Sequence, residues 1–121
     1  MLMTFSNNPD VAREFPSSCK YLETDVMGIF NAVRDAVHTG ARLISHPLSG
    51  SVKPNESPYK SVVVDVVKEP LDFKSLQIIE DAITTLKKLP LKNREYSGQV
   101  LEDFRVIDLD LIMSAFPKGY I

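Results

Sequence analysis

Apolar and polar positions change rhythm along this chain in a way that divides it into short strands and amphipathic helices. The opening MLMTF (1–5) is apolar and strand-forming. Asn7, Asn8 and Pro9 end it, because asparagine favours turns and proline withholds a backbone donor. CKYLET (19–24) alternates weakly and reads as a second strand. From Asp25 the period lengthens, and Val26, Ile29, Phe30, Val33 and Val37 share one helical face. Asp25 is placed to cap its amino end, and Gly40 suits the left-handed turn beyond its last residue. ARLIS (41–45) returns to strand chemistry, and SVVVDVV (61–67) is a β-branched run suited to a central strand covered on both faces.

The segment 69–90 predicts the second long helix, with Leu76, Ile79, Ile83 and Leu86 on one stripe. Asp72 stands at its cap position, Lys87 and Lys88 complement the carboxyl-end dipole, and Pro90 stops it. In the tail, Ser97 is placed to cap a short helix through 98–104. Asp108 is placed to cap another in which Leu109, Ile112, Met113 and Phe116 share a face before Pro117. FRVIDLDLI (104–112) also alternates well enough to be a strand. Strands interleaved with amphipathic helices predict a single-domain layered α/β fold over residues 1–121, with a mainly parallel sheet of about four strands flanked by helices. In such sheets ligands collect beyond the carboxyl ends of the strands. The first strand would deliver Asn7 and Asn8 to that edge, and 41–45 would deliver His46.

Size and charge narrow the picture. The chain has 121 residues, of which 44% are hydrophobic, enough for one core. A formal net charge of -2 and the absence of a basic helical face with interleaved aromatics argue against nucleic acid as a partner. Nothing resembles a signal peptide or a membrane span, so a cytoplasmic location is expected. The one cysteine, Cys19, allows no intramolecular disulfide and reads as a packed strand residue. With only two histidines beside it, no metal site or other cofactor is implied.

Between two apolar runs lies HPLSGSVKPNESPYK (46–60), which is polar yet carries Pro47, Pro54 and Pro58. Each proline fixes its own φ and pushes the residue before it toward extended backbone, so this connection has little freedom to lose on binding. Ser49, Gly50, Ser51 and Lys53 combine hydroxyls, a permissive backbone and an ammonium, a set that donates to a phosphate or carboxylate. The candidate binding site is therefore Asn7, Asn8, His46, Ser49, Gly50, Ser51, Lys53, Asn55, Glu56, Tyr59 and Lys60, for a small anionic ligand or a protein partner. The phosphate-loop pattern is absent, since one glycine precedes Lys53 and Pro54 follows it.

Competing readings use the same residues. In one, the loop's polar side chains serve only to satisfy their own backbone, with Tyr59 as a lid over the sheet edge. His46, with Ser45 or Ser49 and Glu56, contains the residue types of an acid–base or nucleophilic site for a small-molecule transferase or hydrolase, but no nucleophile elbow accompanies them. No catalytic residue is assigned. Leu48, Val52 and Tyr59 would permit a contact in a homo-oligomer. His38 suits the end of its helix. Asp65, within a strand run, must lie at a strand end, find a partner or shift its pKa, and pairing with a lysine or arginine is the simplest reading.

TFSNNP (4–9), HPLSGSVKPNESPYKSVVV (46–64), SLQIIEDAI (75–83) and VLEDFRVIDLDLI (100–112) resemble the GrdX family, small proteins found with the glycine reductase system of anaerobic bacteria. The resemblance covers most of the chain. It implies an accessory or regulatory role beside the selenium-dependent reductase components that reduce glycine and related amines, and it supplies no catalytic residues to carry over. The chain has no selenocysteine and only Cys19, so the resemblance does not extend to a redox component.

Overall fold

The computed structural model describes residues 1–50, 53–67, 69–90 and 95–116. Along the chain run β1 (Leu2–Ser6), α1 (Pro9–Glu14), β2 (Cys19–Tyr21), α2 (Val26–His38), β3 (Arg42–Leu43), β4 (Ser61–Asp65), α3 (Phe73–Lys88) and α4 (Gly98–Ala115). The four strands form one sheet in the order β2-β1-β4-β3. β1 pairs parallel with β2, whereas β4 is antiparallel to both β1 and β3. The expectation of a mainly parallel sheet is corrected accordingly: the sheet is mixed. The cause is the connection between β3 and β4, whose described residues form no crossover helix, so that the chain returns antiparallel to its neighbour.

The sheet is covered on both faces. Phe5, Val62 and Val64 point to one side, into a core made with Ile29, Phe30, Val33 and Val37 of α2 and Ile79, Ala82 and Ile83 of α3. Leu2 and Val63 point to the other, where Val11 of α1, Phe15, and Ile112 and Phe116 of α4 complete a smaller cluster. Phe15 and Phe116 stack with centroids 4.9 Å apart. Val62, Val63 and Val64 are fully buried, as a central strand between two helical layers requires. Each contributes roughly 1.5–3 kcal/mol relative to exposure.

Several local expectations are refined. Asn8 does not simply end β1; its side chain accepts from the Asp10 N–H and starts the short helix α1, with Pro9 at the first helical position. Asp25 caps α2 by accepting from the Gly28 N–H at 2.8 Å, His38 lies in its last turn, and Gly40 takes φ +109° just beyond. Asp72 sits at the cap of α3, and its carboxylate accepts from Ser75 Oγ at 2.6 Å. β3 is only two residues long, although the Ile44 and Ser45 N–H groups still donate to the Val63 carbonyl.

The tail departs most from expectation. It is one helix of 18 residues capped by Ser97, neither two short helices nor a strand. Asp108 is thus interior to α4 rather than at a cap. Asp65 finds its partner in the Met1 ammonium at 2.8 Å, not in a lysine or arginine. Cys19 lies half-buried in the edge strand β2, against the smaller cluster, and burial raises its thiol pKa. Among the described residues no helix is long and apolar enough to cross a membrane.

Candidate functional site

β1 and β3 run in the same direction, opposite to β4, so Ser6, Asn7 and the segment after Leu43 meet the first residues of β4 at one edge of the sheet. The proline-braced loop lies over this edge and is held by side chains from four directions. Asn7 Nδ2 donates to the carbonyls of Thr24 and Pro58, each at 2.8 Å, while its Oδ1 accepts from the Lys60 N–H at 2.8 Å. Asn55 Nδ2 donates to the Pro90 carbonyl, and Tyr96 Oη donates to the Glu56 carbonyl at 2.6 Å. Arg105 of α4 donates to Tyr59 Oη at 2.9 Å and stands over the Tyr59 ring. The prolines limit what the loop can do, and these bonds select one conformation.

Beneath it runs a directed chain of buried hydrogen bonds. The Asn8 N–H donates to Ser6 Oγ at 2.9 Å, the Ser6 and Ser61 hydroxyls are 2.7 Å apart, and Ser61 Oγ donates to Asp108 Oδ2 at 2.7 Å. Because the Ser61 proton is committed to Asp108, Ser6 supplies the one between the serines. Asn8 Nδ2 donates to the same Asp108 oxygen at 3.1 Å and to the Arg105 carbonyl at 2.9 Å. Ser6 and Ser61 are direct cross-strand partners on the face toward α4, which is why both hydroxyls point at the one buried carboxyl of that helix.

Asp108 is 8% exposed. Burial raises its pKa, opposed by the bonds from Ser61 and Asn8 and by the charge of Lys60. Lys60 is shifted the other way: burial lowers its pKa, opposed by Asp108. Its Nζ donates to the Ser49 carbonyl at 3.3 Å. Lys60 and Asp108 both line a small cavity of about 30 Å³, together with Lys53, Ser49, Ser57 and Tyr59 from the loop. Ile107 and Leu111 of α4 supply its apolar side. That volume accepts a water or the head of a small ligand. A larger groove of about 700 Å³ lies on the other side of the loop, between the start of α2 and the end of α3, and its lining is mostly apolar.

The residues proposed from sequence separate into groups. Ser49, Lys53, Tyr59 and Lys60 converge on the small cavity. Asn7 and Asn8 have every side-chain hydrogen-bonding group occupied by backbone or by Asp108, so they brace the site. Asn55 and Glu56 tie the loop to Pro90 and Tyr96. Gly50 takes φ +112°, and a Cβ there would lie 2.7 Å from Leu111 Cδ1, so packing against α4 explains this glycine. His46 is exposed and its Nδ1 accepts from the Leu48 N–H, while Ser45 Oγ accepts from the Val63 N–H inside the sheet. Among the described residues no hydrogen bond joins the His46 ring to Ser45, Ser49 or Glu56. Leu48 packs against the larger core. Ser51 and Val52 lie outside the described residues.

Asp108, Ser61 and Ser6 do not stand out in the sequence as site residues. The available signal was helical spacing: Asp108 is four residues before Ile112 and eight before Phe116, which places a carboxylate on the inward face of a single long helix.

Fold and site together define a small three-layer α/β protein with a cavity of lysines and a carboxyl group at one sheet edge. A family model described as GrdX-like protein matches residues 3–117, and the chain belongs to that family. No curated protein and no solved structure matches it.

Proposed function

We propose that this chain is a non-enzymatic accessory protein of the glycine reductase system, and that its cavity holds the head of a small anionic ligand. The observation that carries this reading is that Lys53 and Lys60, with Ser49 and Ser57, line one small cavity under a braced loop. Two ammonium groups against one carboxyl leave a net positive site when all three are ionised, and the low local dielectric strengthens its attraction for an anion. The prolines and the bonds from Asn7 and Arg105 hold the loop before a ligand arrives, so little ordering entropy opposes binding. Family membership supports the metabolic setting, because the GrdX resemblance connects such chains with glycine reduction. His46 lies outside the cavity, so a transferase or hydrolase built on it has no observation in its favour.

The test is a thermal-shift titration with inorganic phosphate, acetyl phosphate and glycine. A ligand at a hundred times its Kd stabilises the protein by about 2.7 kcal/mol, readily seen as a rise in Tm. Lys53→Ala and Lys60→Gln should each remove that rise. Equal stabilisation of both variants and the parent, or no response of the parent to any of the three, would overturn the proposal.

A further inference from the structure

The geometry points to Lys60 as a carbonyl-reactive amine that captures an aldehyde or 2-oxo acid of two or three carbons as an imine, with Asp108 as the proton donor. This inference rests on the reading of the cavity as an anion site, since Lys53 would hold the carboxylate of the oxo acid. Three features support it. Lys60 and Asp108 face the same cavity, whose volume of about 30 Å³ suits a head of only a few atoms. Among the described residues no carboxylate lies within ion-pair distance of the Lys60 ammonium, whose hydrogen-bond acceptor is the neutral Ser49 carbonyl. Both side-chain hydrogen bonds that Asp108 accepts, from Ser61 and Asn8, fall on Oδ2, so Oδ1 is the oxygen to carry a proton.

Burial pushes the two groups toward their neutral forms, Lys60 downward and Asp108 upward. An uncharged amine beside a carboxylic acid is the pairing that imine formation needs. The neighbouring groups do not compete: Tyr59 Oη is bonded by Arg105, and Lys53 is exposed.

The steps balance without an oxidant or reductant. The Lys60 nitrogen lone pair forms a C–N bond to the carbonyl carbon, and transfer of one amine proton to the oxygen yields a carbinolamine. Asp108 then protonates the hydroxyl, which leaves as water while the nitrogen lone pair forms C=N. The product is a protonated imine beside the Asp108 carboxylate, so an ion pair replaces the two neutral groups and the charges in the cavity still sum to zero across the pair.

The full chain is incubated with glyoxylate or pyruvate near neutral pH and reduced with sodium cyanoborohydride, then analysed by intact mass and peptide mapping. One adduct per chain is expected, at Lys60, formed roughly a hundredfold faster than at any other lysine. It should be absent in Lys60→Arg and slowed in Asp108→Asn, and phosphate should protect the parent protein from labelling. Adducts spread over lysines according to exposure, or none at Lys60, overturn the inference. The same parent preparation is titrated with phosphate: stabilisation without labelling sinks the imine and leaves the anion site standing, whereas absence of both removes the two together.

Discussion

Ser61 Oγ donates to Asp108 Oδ2 across 2.7 Å, joining the first residue of β4 to the middle of α4. A hydrogen bond contributes about 0.5–1.5 kcal/mol net, and leaving a buried polar group short of a partner costs about 1–3 kcal/mol. Ser61→Ala is therefore expected to lower unfolding free energy by about 2 kcal/mol in urea titrations. A loss below a few tenths of that amount would mean that Asn8 and solvent satisfy Asp108 without Ser61.

The same carboxyl makes stability depend on pH. Its folded-state pKa is raised above 3.8 chiefly by burial, so the folded state holds its proton more tightly than the unfolded chain does. Its contribution is fully present below 3.8 and is lost as pH rises through the raised folded value. Urea midpoints measured across the acid range should show this decline superimposed on the other titrations. In Asp108→Asn the declining component should vanish; an identical profile in the variant would refute the assignment.

Asn7 ties Thr24, Pro58 and Lys60 together through a single amide. Asn7→Ala removes three hydrogen bonds, at about 0.5–1.5 kcal/mol each. A loss of about 3 kcal/mol is expected, with faster proteolytic cleavage within residues 46–60. Unchanged cleavage would show that the prolines alone hold the loop.

Gly50 occupies φ +112° with Leu111 directly beside it. Gly50→Ala should cost about 1–2 kcal/mol from backbone strain, with a further penalty from the contact. Leu111→Ala in the same chain should recover only the contact part, which a double-mutant cycle by urea unfolding would separate. Full recovery would contradict a role for the left-handed backbone.

Thr4 is fully buried opposite Val63, and among the described residues its hydroxyl has no partner. Thr4→Val keeps the shape and removes an unsatisfied polar group, so a gain of up to about 1 kcal/mol is expected from the urea midpoint. Destabilisation would indicate a partner for that hydroxyl.

The parts of the architecture set by local pattern were readable in advance. The stripe from Val26 to Val37, the caps Asp25 and Ser97, the positive-φ Gly40 and the β-branched run of β4 each depend on neighbours within a few residues. Four of the ten residues that line the small cavity, Ser49, Lys53, Tyr59 and Lys60, were among those read from sequence for the same reason, since they stand close together in one loop. Asp108 was not, because an aspartate near apolar residues reads locally as a cap.

What sequence by itself determined was the two long helices α2 and α3, the strands β1 and β4, and the prolines of the loop: periodicity and φ restriction act at short range. Tertiary structure alone decided that β4 runs antiparallel between β1 and β3, that Asn7 and Asn8 brace rather than bind, and that Asp108 enters the cavity. Those outcomes depend on residues up to 100 positions apart meeting at one sheet edge, as Asn8 and Asp108 do. Helix packing across the sheet settles such meetings, and no local pattern carries them.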